Sequence, residues 1–597
     1  MKVACLQQSS RSQKSRSVAE GAPARAMRLS VLVLPLLLFA SPVFAQTNPM
    51  VDRLPADAWA YVSWSGTASL KSVSNTNSVL RLWHDPSFSA FLEGSIGAVS
   101  HHGGPTQKSG GLTPEQTAEI FSALENPAVA GFLNSPGDSA EQNHIPVSFF
   151  LIYDATGKQE LVDKLRRERD ANASEPPQVS TASIAGVTVE KRISKSSTSY
   201  EAQAGHYYIF AGSQHAMEEL LPRFGAGQAH AVSFTQSPDF PAACQGLAQS
   251  SILNALVLPA QFHMPSMPSN SGFDFQAFSS SLHLDGIRAG CFSVSFEKET
   301  TRTRGAVLGD TSQGSILNVA GNNRDSFATL SLASSHSSFQ GSVIDYAALY
   351  NSLFTAVSAG MPSDRAPFMA AAVAFLSSTW GMPPEQFFAL FTGETAVIHP
   401  DNAADPEQSF YAFTIHDPEK VLHVLQHAMP GEQTSTNQEG DVTYLTVTIS
   451  AGALGPKSAA PSTIDFALMP DMLLASKEQE VLRHAVARVH AAGGSAPSDA
   501  LTADPEFQKA RALLPAKLDG LSYTNYAHYN WQKLFSEAEK NLNDQMQRAA
   551  RNANRPVPPL AQIFQGIDPA VLSRYLHVSA GGAWKDSTGI YFDSYIQ

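Results

Sequence analysis

The sequence predicts an α+β fold made twice: a tandem duplication in which each copy is an antiparallel sheet with βαββα (ferredoxin-like split) units and packed helices. Ordered internal matches predict it first. Asp57-Ala-Trp-Ala-Tyr-Val-Ser-Trp64 aligns with Asp325-Ser-Phe-Ala-Thr-Leu-Ser-Leu332 at an offset of 268. Pro114-Glu-Gln116 aligns with Pro384-Glu-Gln386 at 270, Tyr208–Ser213 with Met472–Lys477 at 264, and Ser237-Pro-Asp-Phe240 with Asp504-Pro-Glu-Phe507 at 267. Apolar alternation between turn residues marks strands in both copies. The third observation is repeated helix-start chemistry, a capping oxygen ahead of Pro and an early acidic or polar residue. Copy one spans 50–310 and copy two 324–597. The linker is Gly309–Asn323, where Gly, Asn, Ser and Asp cluster.

Each copy opens with a strand, Trp59–Trp64 or Phe327–Leu332. Helical periodicity follows at Ser78–Leu92 and Pro114–Leu124, and in copy two at Val343–Val357, Ala366–Trp380 and Pro384–Phe391. Ala366–Phe375 is nearly all apolar, and its length suits a buried helix better than a membrane span of about 30 Å. Val147–Tyr153 then runs into helix Lys158–Arg167, and Ser409–Ile415 into Pro418–Ala428. Second strands lie at Val187–Glu190 and Val442–Ile449. Third strands lead straight into helices at Tyr207–Leu221 and Met472–His490. Hairpins close the copies, Cys291–Phe296 with Gly305–Leu308 and Leu576–Ser579 with Thr588–Tyr595. Loops fall at His101–Gly111, Asn172–Pro177, Met264–Gly272 and Ala451–Ser462.

Residues 1–45 read as a signal peptide. Met27-Arg28 precedes the apolar run Val31–Phe39, then Ser41-Pro42 and Val43-Phe44-Ala45, which places cleavage between Ala45 and Gln46. The polar, basic stretch before Met27 makes Met27 the expected true start. No Cys follows the cut, so no lipid anchor is expected, and the mature chain carries no predicted transmembrane segment. The expected location is periplasmic or extracellular. Removing Lys2, Arg11, Lys14, Arg16, Arg25, Arg28 and Glu20 takes the formal charge from −13 to −18. So acidic a chain lacks the basic surface that nucleic acid or an anionic membrane requires.

Cys244 and Cys291 are the two cysteines of the mature chain. After export they are either one disulfide, worth roughly 4 kcal/mol in the chain-entropy model, or two buried thiols. Arg511 matches Cys244 in copy two, so a bridge would belong to copy one alone. Thr113-Pro-Glu-Gln116, Asp85-Pro-Ser-Phe88, Ser237-Pro-Asp-Phe240 and Asp504-Pro-Glu-Phe507 read as helix caps with a Phe anchor. His423 and His427 have chelating spacing, but Val421, Val424, Leu425 and Ala428 form the buried stripe and leave both imidazoles toward solvent. His101-His102 and His263-Met264 sit in loops without further spaced ligands. Ser295-Phe-Glu-Lys298 matches S-x-x-K, yet residues three apart on a strand face opposite ways. Gly157-Lys158 opens a helix without the earlier Gly of a phosphate loop. No catalytic, cofactor or metal residue is assigned. Thirty-three Phe residues fill cores, with an apolar cleft between copies as the alternative use.

Leu54-Pro-Ala-Asp57 before Trp59-Ala-Tyr61, with Leu82-Trp-His-Asp-Pro-Ser-Phe88, resembles a family of exported bacterial proteins of unknown function. That family has an LPAD…Y opening strand and a W-x-D-P-x-F helix start. The resemblance implies an envelope or secreted location and brings no catalytic residues. The expected role is non-catalytic binding or scaffolding, with a protein or envelope component as partner. The alternatives are a carrier of a lipid or other apolar ligand in an inter-copy cleft, and a hydrolase with a dispersed site.

Overall fold

The computed structural model describes residues 48–91, 114–134, 147–171, 176–194, 197–225, 232–245, 247, 251–261, 273–312, 315–321, 323–400, 408–427, 433–449, 462–492, 499–536, 540 and 568–597. Ala45, Gln46, His101-His102, His263-Met264 and Thr113 lie outside them. Twenty strands within these residues form one sheet. Copy one contributes β1 (Ala58–Trp64), β2 (Ala128–Asn134), β3 (Val147–Asp154), β4 (Gln178–Ile184), β5 (Val187–Ile193), β6 (Thr198–Ala204), β7 (Tyr207–Ala211), β8 (Leu253–Val257), β9 (Ile287–Phe296) and β10 (Thr301–Gly309). Copy two contributes β11 (Ser338–Val343), β12 (Phe391–His399), β13 (Phe410–Ile415), β14 (Gln433–Glu439), β15 (Val442–Ile449), β16 (Ser462–Leu468), β17 (Met472–Ser476), β18 (Gly520–Asn525), β19 (Val578–Asp586) and β20 (Gly589–Ile596).

All pairings are antiparallel. Along its ladders copy one runs β4-β5-β6-β7-β3-β2-β1-β8-β9-β10. Copy two runs β14-β15-β16-β17-β13-β12-β11-β18-β19-β20. Adding ten to each number converts one order into the other. The copies join at β10–β20, from Thr301 opposite Ile596 to Leu308 opposite Gly589. An antiparallel ladder between equivalent strands gives the sheet a local pseudo-twofold at its centre.

This order corrects two alignments. The counterpart of β1 is β11, whereas Ala328–Leu332 is a 3-10 helix with Leu330 and Leu332 buried. Its turn closes around Glu394, whose Oε1 accepts from the Thr329 N–H and Oγ1, each at 2.7 Å. Val51–Arg53 makes the matching 3-10 turn before β1. The β7–β17 equivalence is also one residue from the sequence match. Tyr207, Ile209 and Ala211 are buried as Met472, Leu474 and Ser476 are, an offset of 265. The helices that follow start at Gln214 and Gln479, at the same offset. A one-residue slip would turn every side chain to the wrong face.

Within each copy the β-α-β-β-α order expands, because β4 and β6, or β14 and β16, add two strands. A four-strand meander therefore separates the two helices. Those helices take opposite faces of the sheet. Gln214–Phe224 buries Ala216, Met217, Leu220 and Leu221 against Val189, Ala202 and Ile209. Gln159–Ala171 meets the alternate residues, Glu190, Arg192 and Glu201, on the other side. The two helices of the unit therefore sandwich the sheet. Both terminal hairpins form as expected, with Phe296 opposite Thr301 and Asp586 opposite Gly589.

Each copy sends one helix to the other. Phe275–Ser281 of copy one lies on Tyr346–Gly360 of copy two, where the Asp274 N–H donates to the Gly360 carbonyl at 2.6 Å. Reciprocally, Pro569–Tyr575 of copy two lies on Ser78–Trp83 of copy one. There Leu82, Val571 and Leu572 are buried, with Phe88, Phe91 and Tyr575 packed around them. Asp85 caps the turn after His84 through the Ser87 N–H at 2.9 Å, and it accepts from Tyr575 Oη at 3.2 Å. The expected helix Ser78–Leu92 is thus interrupted at His84-Asp85. Neither copy completes its own helix layer.

At the seam the Phe592 ring covers Gly305, and a Cβ there would meet that ring and lie 2.6 Å from the Cys291 carbonyl. Gly305→Ala is therefore expected to destabilise the β9–β10–β20 region by about 1–3 kcal/mol. Hydrogen exchange at β10 and β20 would report it. Unchanged protection would show that Phe592 moves aside without cost.

Candidate functional site

Six carboxylates among the described residues are buried: Asp85, Glu201, Glu394, Asp465, Asp519 and Asp593. A buried charge needs partners, so these are the natural places to look for chemistry. Glu201 on β6 stands directly opposite Glu190 on β5. Arg166 bridges them, with Nη2 2.7 Å from Glu190 Oε2 and Nε 3.0 Å from Glu201 Oε2. Arg169 donates to Glu201 Oε1 at 2.6 Å and Tyr208 Oη donates to Oε2 at 2.8 Å. Arg192 joins Asp170 at 2.8 Å and Glu190 at 3.3 Å. Spacing explains the convergence: 166, 169 and 170 share one face of their helix, while 190 and 192 share one face of their strand. Burial raises the Glu201 carboxyl, but hydrogen bonding and charge from Arg169, with Tyr208 and Arg192, outweigh it and hold the group below its ordinary value.

Copy two fills the same place with hydrocarbon. In the matching ladder Leu445 faces Phe466 and Val447 faces Ile464, and Leu422 and Leu425 of helix Pro418–His427 pack on them. A network that one copy replaces by apolar side chains, and whose charges pair with one another, is a packing solution.

Asp593 on β20 receives Arg302 Nε at 2.7 Å and Arg304 Nε at 3.1 Å across the seam. Glu394 receives Arg324 at 3.1 Å besides Thr329. Asp465 accepts from Thr446 Oγ1. Asp519 differs. Neither of its carboxylate oxygens has a hydrogen bond of good geometry, and burial pushes its carboxyl up to about 6, partly offset by the charge and the backbone N–H of nearby Lys585. Lys585 Nζ is turned to the Ala320 carbonyl at 2.6 Å, and its N–H to Asn323 Oδ1 at 3.3 Å.

The residues singled out by sequence are dispersed. Cys291, buried in the copy-one core, and the half-buried Cys244 are free thiols. Burial pushes each up to about 11, with Cys291 adding to the shift at Cys244. His423 and His427 are exposed, as expected, and their rings lie 4.5 Å apart above the buried Val421 and Val424. Asp504 caps its helix through the Glu506 N–H at 2.7 Å. Ser237 does not cap: its Oγ accepts from Gln261 at 3.2 Å, and helix Asp239–Gln245 starts two residues later. Ser295 is buried and Lys298 exposed in the turn after β9. Lys158 Nζ is held by Ser122 Oγ at 2.7 Å and Glu125 at 2.8 Å.

Sequence reading missed one contact between reactive types. Ser409 Oγ lies 2.5 Å from His399 Nδ1, where β12 and β13 meet. Burial lowers the His399 imidazole, and no carboxylate contributes to that shift. Ser409 is itself buried. The pair closes a strand end. Among the described residues no three His, Cys, Asp or Glu side chains cluster as a metal site.

The larger surprise is Ala366–Trp380. The sequence reading made it a buried helix, but none of its residues is buried. Phe368 is 74% exposed and Phe375 56%. Its C-terminal end is anchored by Trp380, whose ring lies 5.0 Å from Phe387, and by Gly381 in the left-handed region at φ 69°. No helix among the described residues is long and apolar enough to cross a membrane.

No family model and no curated protein matches the chain. Among solved structures it is similar to TP0453 in crystal form III, at 11% identity and a TM-score of 0.20, covering 45% of this chain and 80% of that one. Crystal form I of TP0453 gives the same identity and TM-score over 44% and 79%.

Proposed function

We propose that this chain is an exported, non-catalytic binding or scaffold protein of the cell envelope or extracellular space. The observation that carries the reading is the continuous sheet formed by two copies that exchange helices. Twenty strands at about 4.8 Å spacing separate the outer strands β4 and β14 by roughly 90 Å along the sheet. Such a body holds distant surfaces in fixed relation. The helix-exchange contact around Leu82 and Leu572 is filled by packed side chains, which favours a rigid spacer over a carrier with a cleft there.

Native mass spectrometry of the mature protein purified from its own envelope fraction tests this. The expected spectrum shows the chain with a protein partner and no stoichiometric small molecule. One lipid or other ligand retained per chain would overturn the scaffold reading in favour of the carrier.

A further inference from the structure

We propose that helix Ala366–Trp380 is an interfacial membrane anchor that dips into the acyl region of a lipid surface. The inference rests on the envelope-scaffold reading and names its partner. Six of the seven consecutive residues from Ala366 to Ala372 are exposed. The half-buried residues Met369, Val373, Leu376, Ser377 and Trp380 recur at helical spacing and form the stripe that rests on Pro384–Phe388 and Pro418–His427, while the rest of the helix, with Phe368 and Phe375, faces outward. A helix packed on its own protein along one stripe and facing water on the other side carries polar residues on that outer side. This helix has no polar side. It contains no charged residue, and its hydroxyls are satisfied internally. Ser377 Oγ donates to the Val373 carbonyl at 2.7 Å, Ser378 Oγ to Phe375 at 2.8 Å, and Thr379 Oγ1 to Phe375 at 2.9 Å. Back-bonded hydroxyls are how a helix hides polar groups where no water can reach them.

Length and charge fix the mode of binding. Fifteen residues span about 22 Å, short of the roughly 30 Å of hydrocarbon, so the helix enters one leaflet without crossing. Asp364-Arg365 before it and Glu385 after it mark the polar limits. With the chain at −13, attraction to anionic headgroups is not the driving force, and the partner is a zwitterionic surface bound by apolar burial. The matching connection of copy one, between Trp83 and Pro114, carries Glu93, His101, His102 and Lys108 among glycines.

Flotation of the mature chain with phosphatidylcholine vesicles tests the proposal. The chain should float with the vesicles, equally at about 0.05 and 0.5 M salt. The Phe368→Asp, Phe375→Asp double variant should lose at least about tenfold in partitioning, while Phe368→Leu, Phe375→Leu keeps most of it. Both positions are exposed, so the circular dichroism of either variant should match the parent. A parent that stays in the aqueous fraction, or an Asp variant that floats as well as it does, overturns the anchor. So does a concentration-dependent dimer, abolished by the Asp variant, in the absence of lipid binding. Failure here with a protein partner still found by mass spectrometry removes the anchor and keeps the scaffold. Normal flotation with a retained stoichiometric ligand does the reverse.

Discussion

Glu201→Ala is expected to destabilise copy one by about 3–5 kcal/mol, the range for removing one partner of a buried ion pair. Glu201 has no exposed side-chain surface, and Arg166 and Arg169 turn their guanidinium groups onto it. Removal leaves Arg166, Arg169 and Arg192 facing a void, with Glu190, Asp170 and the more distant Asp163 to hold them. The chain carries its own control. Replacing Glu190, Glu201, Arg192, Arg166 and Arg169 together by the Leu, Phe and Val types that copy two uses should restore stability to near the parent, because desolvation consumes most of the Coulomb gain in a buried network. The pH dependence has a definite sign. The Glu201 carboxyl is held below its ordinary value, so its contribution is present above the unfolded carboxyl range near 4.3 and lost as pH falls through the folded value. Hydrogen exchange of β5 and β6 in the parent, Glu201→Ala and the five-fold variant measures all three. A loss under about 1 kcal/mol for Glu201→Ala would show that water enters and solvates the arginines.

That network also shows what the sequence conveyed and what it hid. Val187-Thr-Val-Glu-Lys-Arg-Ile193 alternates as a strand should, and the alternation located β5 correctly. Its polar residues read as facing water. Nothing in a single strand says that a helix ending sixteen residues upstream brings arginines down on that side. The reverse failure occurred at Ala366–Trp380, where an apolar run reads as core whichever way it faces. Exposure is decided by which neighbours pack on it, and here few do. Caps were more legible, since they are local: Asp504 and Asp85 cap as their spacing implied. The duplication was legible in its caps and its two halves. Its first match failed because Phe327–Leu332 has the apolar letters of a strand, yet a buried carboxylate 65 residues away curls it into a turn.

Asp519→Asn and Asp519→Ile are expected to stabilise the protein at neutral pH, by about 1–3 kcal/mol. Asp519-Gly520 has the letters of a surface turn, but it opens β18 in the interior. Copy one shows what the position wants. The Ile252 N–H donates to Val294 of β9 and its carbonyl accepts from Ser65 after β1. The Asp519 N–H donates to Ala583 of β19 and its carbonyl accepts from Val343 at the end of β11. The two backbones are wired alike, and the copy-one side chain is a fully buried isoleucine. A carboxylate in that setting is destabilised by desolvation, which is why its folded value rises to about 6. A raised carboxyl contributes full stability below the unfolded value near 3.9 and loses it as pH climbs through about 6. Around this group the parent should therefore weaken between pH 5 and 7.5, opposite in direction to the acid loss at Glu201, and either variant should flatten that slope. Denaturation midpoints at the two pH values decide it. If Asp519→Asn loses stability at pH 7.5, the site favours the charged carboxylate over a neutral side chain, and Lys585 turns toward it.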